Sequence, residues 1–169
     1  MTDSHDANMQ DIRNFIFGTE AQAEMDIGKL WFDTFESYRE KFESVRPDYD
    51  KLDKTTQIIG SLGKLELDMH NGGFIQFFCN WGYPAYMLAL EGLDKIGAPT
   101  TKSLLIEAFS VINKYENDKR ITNLWDIPSV LSNEDDARDD ARLQELDEKY
   151  WQDEENIMKK MLNCFSEKK

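Results

Sequence analysis

The chain has 169 residues, and 33 acidic side chains against 20 Lys and Arg give it a formal net charge of -13 at pH 7. That length is typical of one domain, and a hydrophobic content of 40% predicts a packed core rather than a disordered chain. The negative charge would repel nucleic acids and anionic membranes, so it argues against direct binding to either. On charge alone, the expected partner is a basic protein.

The sequence also carries signals of compartment. It contains no stretch long and apolar enough to be a membrane span, no signal segment, and two cysteines, Cys79 and Cys164, which do not form a disulfide framework. These features predict a soluble protein of a reducing compartment, most simply the cytoplasm. We interpret residues 1–169 as a single domain and expect residues 1–8, which are polar, to be flexible.

The first predicted helix covers residues 20–45. Apolar residues recur along it at steps of three and four and share one side: Trp31, Phe35, Tyr38, Phe42 and Val45. Acidic residues with similar spacing lie on the opposite side: Asp33, Glu36, Glu40 and Glu43. Pro47 ends the helix, because the residue before a proline is disfavoured in the helical conformation. We therefore predict an aromatic inner side and an acidic outer side.

Four helices are predicted in the middle of the chain, over residues 53–70, 74–79, 84–96 and 99–115. Gly72 and Gly73 end the first of these helices, because glycine tolerates the backbone conformations found at helix C-termini. Pro84 and Pro99 begin the last two, because proline is favoured in the first turn of a helix.

The C-terminal third is less regular. Residues 116–133 are rich in turn-forming residues, with a short helix predicted over residues 124–131 and interrupted by Pro128. Residues 135–165 have apolar residues at helical spacing and are predicted to form one helix or two. Since no segment has the alternation typical of a strand, the predicted fold class is all-α, a single compact multi-helix domain with roughly seven to nine helices.

The negative charge is concentrated in two segments. Residues 54–113 carry five acidic and four basic side chains, whereas residues 20–53 carry ten against five and residues 134–155 carry eleven against three. Carboxylates four residues apart on a helix are about 6 Å apart along its axis. This distance is comparable with that between neighbouring phosphates on one strand of DNA. A symmetric dimer would carry the charge of about 44 Å of duplex. The pattern is compatible with imitation of a phosphate row and also with a helix surface that only keeps the protein soluble.

Residue groups typical of catalytic or metal sites are sparse. Glu66 and His70 are one helical turn apart, but two ligands do not make a metal site. In a second interpretation Cys79 is a nucleophile with His70 as its base, although its aromatic neighbours favour a buried, inert thiol. We therefore predict no catalytic residues, no metal site and no cofactor. An enzyme built on Glu66, His70 and Cys79 is the least favoured alternative.

A motif between residues 67 and 98 reads Asn-Gly-Gly-Phe-x-Gln-Phe-Phe-x-Asn and is followed by a helix ending in Ile-Gly-Ala. Its residues are Asn71, Gly72, Gly73, Phe74, Gln76, Phe77, Phe78 and Asn80. This segment resembles the bacterial family of the nineteen-kilodalton DNA mimic protein, with Trp81 and Gly92 as departures from the family pattern. We interpret the motif as structural: a tight turn, a phenylalanine core, and Gln76 and Asn80 bonded to backbone groups of the turn.

The resemblance implies an acidic homodimer that occupies the DNA-binding surface of a helix-turn-helix transcription factor. Taken with the charge segregation, it predicts a non-enzymatic DNA mimic that blocks DNA competitively. The carboxylates expected to imitate phosphates are Asp33, Glu36, Glu40, Glu43, Glu134, Asp135, Asp136, Asp139, Asp140, Glu145, Glu148 and Glu155. The alternative is an acidic interaction or immunity-type module that binds a basic protein unrelated to DNA.

Overall fold

Helix α1 (Glu20–Ser44) follows the periodicity of its sequence. Trp31, Phe35 and Phe42 are at most 2% exposed and lie in the core. The acidic residues of the opposite side are all exposed, as the spacing predicts. The computed structural model describes residues 20–153 and 155–166, so the expected flexibility of residues 1–8 lies outside the described residues.

Six more α-helices follow in these ranges: α2 (Lys54–Asn71), α3 (Gly73–Ile96), α4 (Pro99–Ile112), α5 (Ile127–Leu131), α6 (Ala137–Gln152) and α7 (Ile157–Phe165). Short 3-10 turns cover Tyr49–Lys51, Asn113–Tyr115, Leu124–Asp126 and Glu134–Asp136. The described residues contain no strand, and the predicted all-α, single-domain class with seven to nine helices is confirmed. No helix within residues 20–153 or 155–166 is both long and apolar enough to cross a bilayer.

The core is built on α2 and α3, which pack along each other. Helix α1 packs mainly against α2 and α7, whereas α6 packs mainly against α4 and α3. Asp53 begins α2, because its carboxylate accepts a hydrogen bond from the Thr56 N–H at 3.0 Å. The two acidic helices, α1 and α6, are therefore supported by different members of the fold.

Helix α1 approaches α2 closely because two residues of α2 lack a side chain. A Cβ placed on Gly60 would lie 2.5 Å from Phe42 Cβ, and one on Gly63 would lie 2.7 Å from Arg39 Cγ. Arg39 is 3% exposed, and its guanidinium carbon lies 4.7 Å from the ring centre of Trp31. Burial lowers the pKa of Arg39. These contacts fix the rotation of α1 about its axis and keep its acidic side outward.

Helix α3 joins two segments that were predicted as separate helices. The two helical segments meet within residues 80–83, where Gly82 adopts φ 68° and ψ -169°, a non-helical conformation essentially restricted to glycine that kinks the chain. Pro84 follows two residues later and lacks the N–H that a straight helix would use. The predicted break is thus correct in position, and it takes the form of a kink.

The C-terminal third shows one difference from the prediction and decides one alternative that the prediction left open. Pro128 lies in the first turn of α5 and does not interrupt it, because the missing N–H has no helical partner at that position. Residues 135–165 form two α-helices, and the break comes where Asp153 becomes extended. The Asn156 side chain then caps α7 by accepting a hydrogen bond from the Lys159 N–H at 2.8 Å.

Candidate protein-binding surface

Four of the predicted carboxylates line the outer side of α1, and we call them the α1 stripe: Asp33, Glu36, Glu40 and Glu43. Its two ends are partly neutralised. Asp33 contacts Lys29 Nζ at 2.5 Å, and Glu43 contacts Lys64 Nζ at 2.6 Å. The two middle residues are one turn apart, exposed, and form no ion pair with a described residue. The centre of the stripe therefore has no ion pair to neutralise it, and the nearest described cation that interacts with it is the buried guanidinium of Arg39.

The second group of predicted carboxylates lies in residues 134–148, which we call the 134–148 segment. Two of its members are paired with bases from the preceding loop. Asp136 contacts Arg120 at 2.7 Å, and Asp139 contacts Lys114 at 2.6 Å. Hydrogen bonding from Lys114 lowers the pKa of Asp139. The hydroxyl of Tyr115 donates to both carboxylates, at 3.1 and 2.9 Å.

The remaining members of this segment differ in their contacts. Glu145 lies between Arg142 and Lys149, and these cations lower its pKa to about 2. Asp140 accepts a hydrogen bond from Gln144 at 2.7 Å. Three others form no ion pair with any residue that the structure describes: Glu134, Asp135 and Glu148.

Glu155 is engaged within the fold. Its carboxylate accepts hydrogen bonds from the N–H groups of Thr100 and Thr101, at 3.1 and 2.8 Å, and so caps the N-terminus of α4. Burial alone would raise its pKa, but these hydrogen bonds hold the pKa of Glu155 below its ordinary value. Its oxygens therefore stabilise the junction between α4 and the chain that precedes α7.

The motif around Gly72 and Gly73 surrounds a buried carboxylate that sequence reasoning missed. Asp68 is 5% exposed and accepts hydrogen bonds from three side chains of α3. The donors are Gln76 at 2.9 Å, Asn80 at 3.0 Å and Trp81 at 2.6 Å. The interpretation that Gln76 and Asn80 bond to backbone groups of the turn is therefore wrong, because Asp68 faces them from α2. The sequence signal that could have indicated this site is the position of Asp68 among the apolar residues of α2.

A second buried carboxylate, Glu66, gives the protein a pH-sensitive contact. Glu66 is 3% exposed, accepts a hydrogen bond from the Tyr150 hydroxyl, and lies 3.3 Å from His70 Nε2. The hydrogen bond between His70 and Glu66 raises the pKa of His70 above its ordinary value of 6.5. The folded state therefore favours the protonated imidazole.

We expect the free energy of unfolding to decrease modestly as the pH rises above about 6.5, the ordinary pKa of histidine. The stabilisation by His70 is complete below its unfolded pKa and is lost as the pH passes through the raised folded pKa. Urea denaturation of the wild type and of His70→Gln at several pH values would measure this. The variant should show a flatter dependence, and an equal slope in both proteins would assign the titration to another group.

The cysteine nucleophile considered above is chemically inert in this fold. Cys79 is fully buried, and its Sγ donates to the carbonyl oxygen of Leu124 at 3.2 Å. Burial raises the pKa of the thiol to about 12, so the thiolate does not form at neutral pH. His70 packs against Trp151 instead, with ring centres 4.8 Å apart. Across the described residues, no three His, Cys, Asp or Glu side chains are grouped to hold a metal ion.

The chain was compared with known proteins and families. No curated protein and no solved structure matches it. A family model described as DMP19-like protein matches residues 50–168. The matched range includes the motif and the 134–148 segment but begins after α1, so the α1 stripe lies outside it. Because this range covers more than two thirds of the sequence, the chain belongs to the family of DMP19-like proteins.

Proposed function

We propose that this protein is a DNA mimic that binds the DNA-binding surface of a transcription factor, of the helix-turn-helix type, and excludes DNA by competition. Membership of the DMP19-like family supports the proposal. The observation that carries the proposal is that carboxylates without a basic partner are concentrated in the α1 stripe and the 134–148 segment. Among the predicted residues these are Glu36, Glu40, Glu134, Asp135, Asp140 and Glu148.

The middle of the chain shows the contrast. Its exposed or half-buried acids contact bases: Glu91 pairs with Lys54, Asp94 with Lys102, and Glu107 with Arg142. An ion pair of this kind contributes little net charge at a distance. Compared with the middle of the chain, the α1 stripe and the 134–148 segment therefore contribute more unpaired negative charge to the field of the molecule.

The proposal includes a homodimer, which would double the charge presented to the partner. Attraction between this surface and a Lys- and Arg-rich protein would act over about one Debye length, roughly 8–10 Å at physiological salt. Association should therefore be fast and strongly weakened by salt. Analytical ultracentrifugation measures the oligomeric state directly.

The experiment is capture from a nuclease-treated lysate of the source cells on immobilised protein, followed by elution with duplex DNA. We expect retention of a DNA-binding protein that duplex DNA and high salt both release. Glu36→Gln with Glu40→Gln should slow its association by about threefold to tenfold, because rim charges mainly set the rate of encounter.

A matched control adds positive charge elsewhere. Ser103 and Ser110 are exposed on α4, and their hydroxyls donate to carbonyl groups of the same helix. Ser103→Lys with Ser110→Lys changes the net charge as much as the two Gln substitutions do, but away from the α1 stripe. Equal slowing by both double variants would contradict a role for the stripe as a contact surface. Retention of basic proteins that bind no DNA would favour the interaction-module alternative.

A further inference from the structure

An exposed apolar groove lies beside the kink in α3. Leu124 packs over the kink, and its Cδ1 lies 3.4 Å from the position that a Cβ on Gly82 would take. The groove encloses about 620 Å³ between α3, α4 and the loop that follows α4. We call it the kink groove and define it by Tyr83, Phe109, Tyr115, Ile121 and Leu124, which line it.

The walls of the kink groove are aromatic and partly open to solvent. Tyr83 is 56% exposed and Leu124 is 40% exposed. The rings of Tyr83 and Phe109 are 5.6 Å apart, and Tyr86 stacks on Phe109 at 4.3 Å. A concave apolar surface of this volume has room for a large aromatic or branched aliphatic side chain.

One end of the kink groove meets the 134–148 segment. Tyr115 lines the groove, and its hydroxyl donates to Asp136 and Asp139, as described above. Glu116 lines the same end. Carboxylates outnumber cations here, since the two segments that meet at this end, residues 114–120 and 134–140, carry seven acidic and four basic side chains. This end therefore carries net negative charge.

The other end of the kink groove approaches the α1 stripe. A second cavity of about 780 Å³ adjoins the groove and shares Gly82, Tyr83 and Leu124 with it. Glu43, the last residue of the α1 stripe, lines this cavity together with Arg46. The apolar groove thus lies between the 134–148 segment and the end of the α1 stripe that Lys64 partly neutralises.

We propose that the kink groove receives an aromatic or branched aliphatic side chain of the DNA-binding partner, carried on a segment with Lys or Arg beside it. This inference rests on the proposed function and names a feature of the partner that duplex DNA lacks. A surface that only imitates the charge of DNA would bind many DNA-binding proteins. A pocket for an apolar side chain would favour those partners that carry such a side chain. A second copy of this chain is disfavoured as the occupant, because it would bring like charges together at the acidic end.

The test uses two fluorescein-labelled peptides. Each has two basic residues on either side of a central pair, which is Leu-Trp in one peptide and Ser-Ser in the other. Fluorescence anisotropy with the full-length protein should show the Leu-Trp peptide binding about tenfold more tightly. Leu124→Ser and Tyr83→Ser should reduce its affinity to that of the Ser-Ser peptide.

Ile106→Ser is the matched control, because Ile106 is 44% exposed on α4 and does not line the groove. It should keep the preference for Leu-Trp, and circular dichroism would verify that all three variants are folded. Equal affinity of the two peptides for the wild type, or equal loss in Ile106→Ser, would overturn the proposal. So would dissociation of an oligomer by Leu124→Ser, which would assign the groove to contact between copies. The peptide assay contains no DNA-binding protein. A negative result in it would therefore count against the groove proposal alone, whereas a negative result in the capture experiment would count against the proposed function.

Discussion

Asp68→Ala is expected to lower the free energy of unfolding by about 3 kcal/mol, because it leaves one buried and two half-buried donors without an acceptor. Gln76, Asn80 and Trp81 all donate to this carboxylate, and water does not reach the site freely, since Asp68 is 5% exposed. Total stabilities of domains are about 5–15 kcal/mol. Urea denaturation followed by circular dichroism would measure the loss.

Asp68→Asn is the matched control. Its amide oxygen still accepts from Gln76 and Asn80, which share one carboxylate oxygen, but its NH₂ group faces the indole N–H of Trp81. We expect an intermediate loss. If alanine were tolerated as well as asparagine, the three hydrogen bonds would contribute little to stability, and the motif would need another explanation.

Gly73→Ala should be the second most damaging substitution, with an expected loss of about 3 kcal/mol. Gly73 has φ +76°, and a Cβ there would lie 2.0 Å from Asp147 Oδ2. The carboxylate of Asp147 accepts a hydrogen bond from the Phe74 N–H at 2.9 Å, and displacing it would break this bond. The substitution thus combines backbone strain with the loss of the bond at the start of α3.

Gly97→Ala separates the two contributions. Gly97 has φ +70°, but a Cβ there would meet no atom within 4 Å. Its loss should be the backbone cost alone, about 1–2 kcal/mol. Thermal and urea unfolding of both variants would measure the difference. Equal losses would show that the contact with Asp147 contributes nothing.

Local periodicity was sufficient to predict most of the helices. The steps of three and four from Trp31 to Phe42 predict which side of α1 is buried, because a helix brings such residues onto one side. The break near Pro84 and the end of α2 were also predictable, since proline and glycine act through their own backbone. These signals need no knowledge of the tertiary structure.

The ion-pair and hydrogen-bond partners of each carboxylate could not be predicted from local periodicity. Glu43 pairs with Lys64, which is 21 residues away in sequence, and Arg120 pairs with Asp136, which is 16 residues away. Such pairs depend on helix packing, so periodicity gives the side on which an acid lies but not its partner. Asp68 was missed for this reason, because its hydrogen-bond donors come from another helix. Glu155 was predicted as a partner-binding carboxylate, and its hydrogen bonds to the start of α4 were not foreseen for the same reason.

The close approach of α1 to Gly60 and Gly63 has a consequence for recognition. Rotation of α1 about its axis would push Phe42 or Arg39 into the α2 backbone. The carboxylates on the outer side of α1 therefore belong to a helix whose orientation is restrained. A docking protein would then immobilise only glutamate rotamers, at about 0.5–1.5 kcal/mol for each side chain. Helix α1 therefore holds the backbone positions of its carboxylates at a fixed spacing before a partner binds. The conformational entropy of that backbone is lost during folding and not during binding.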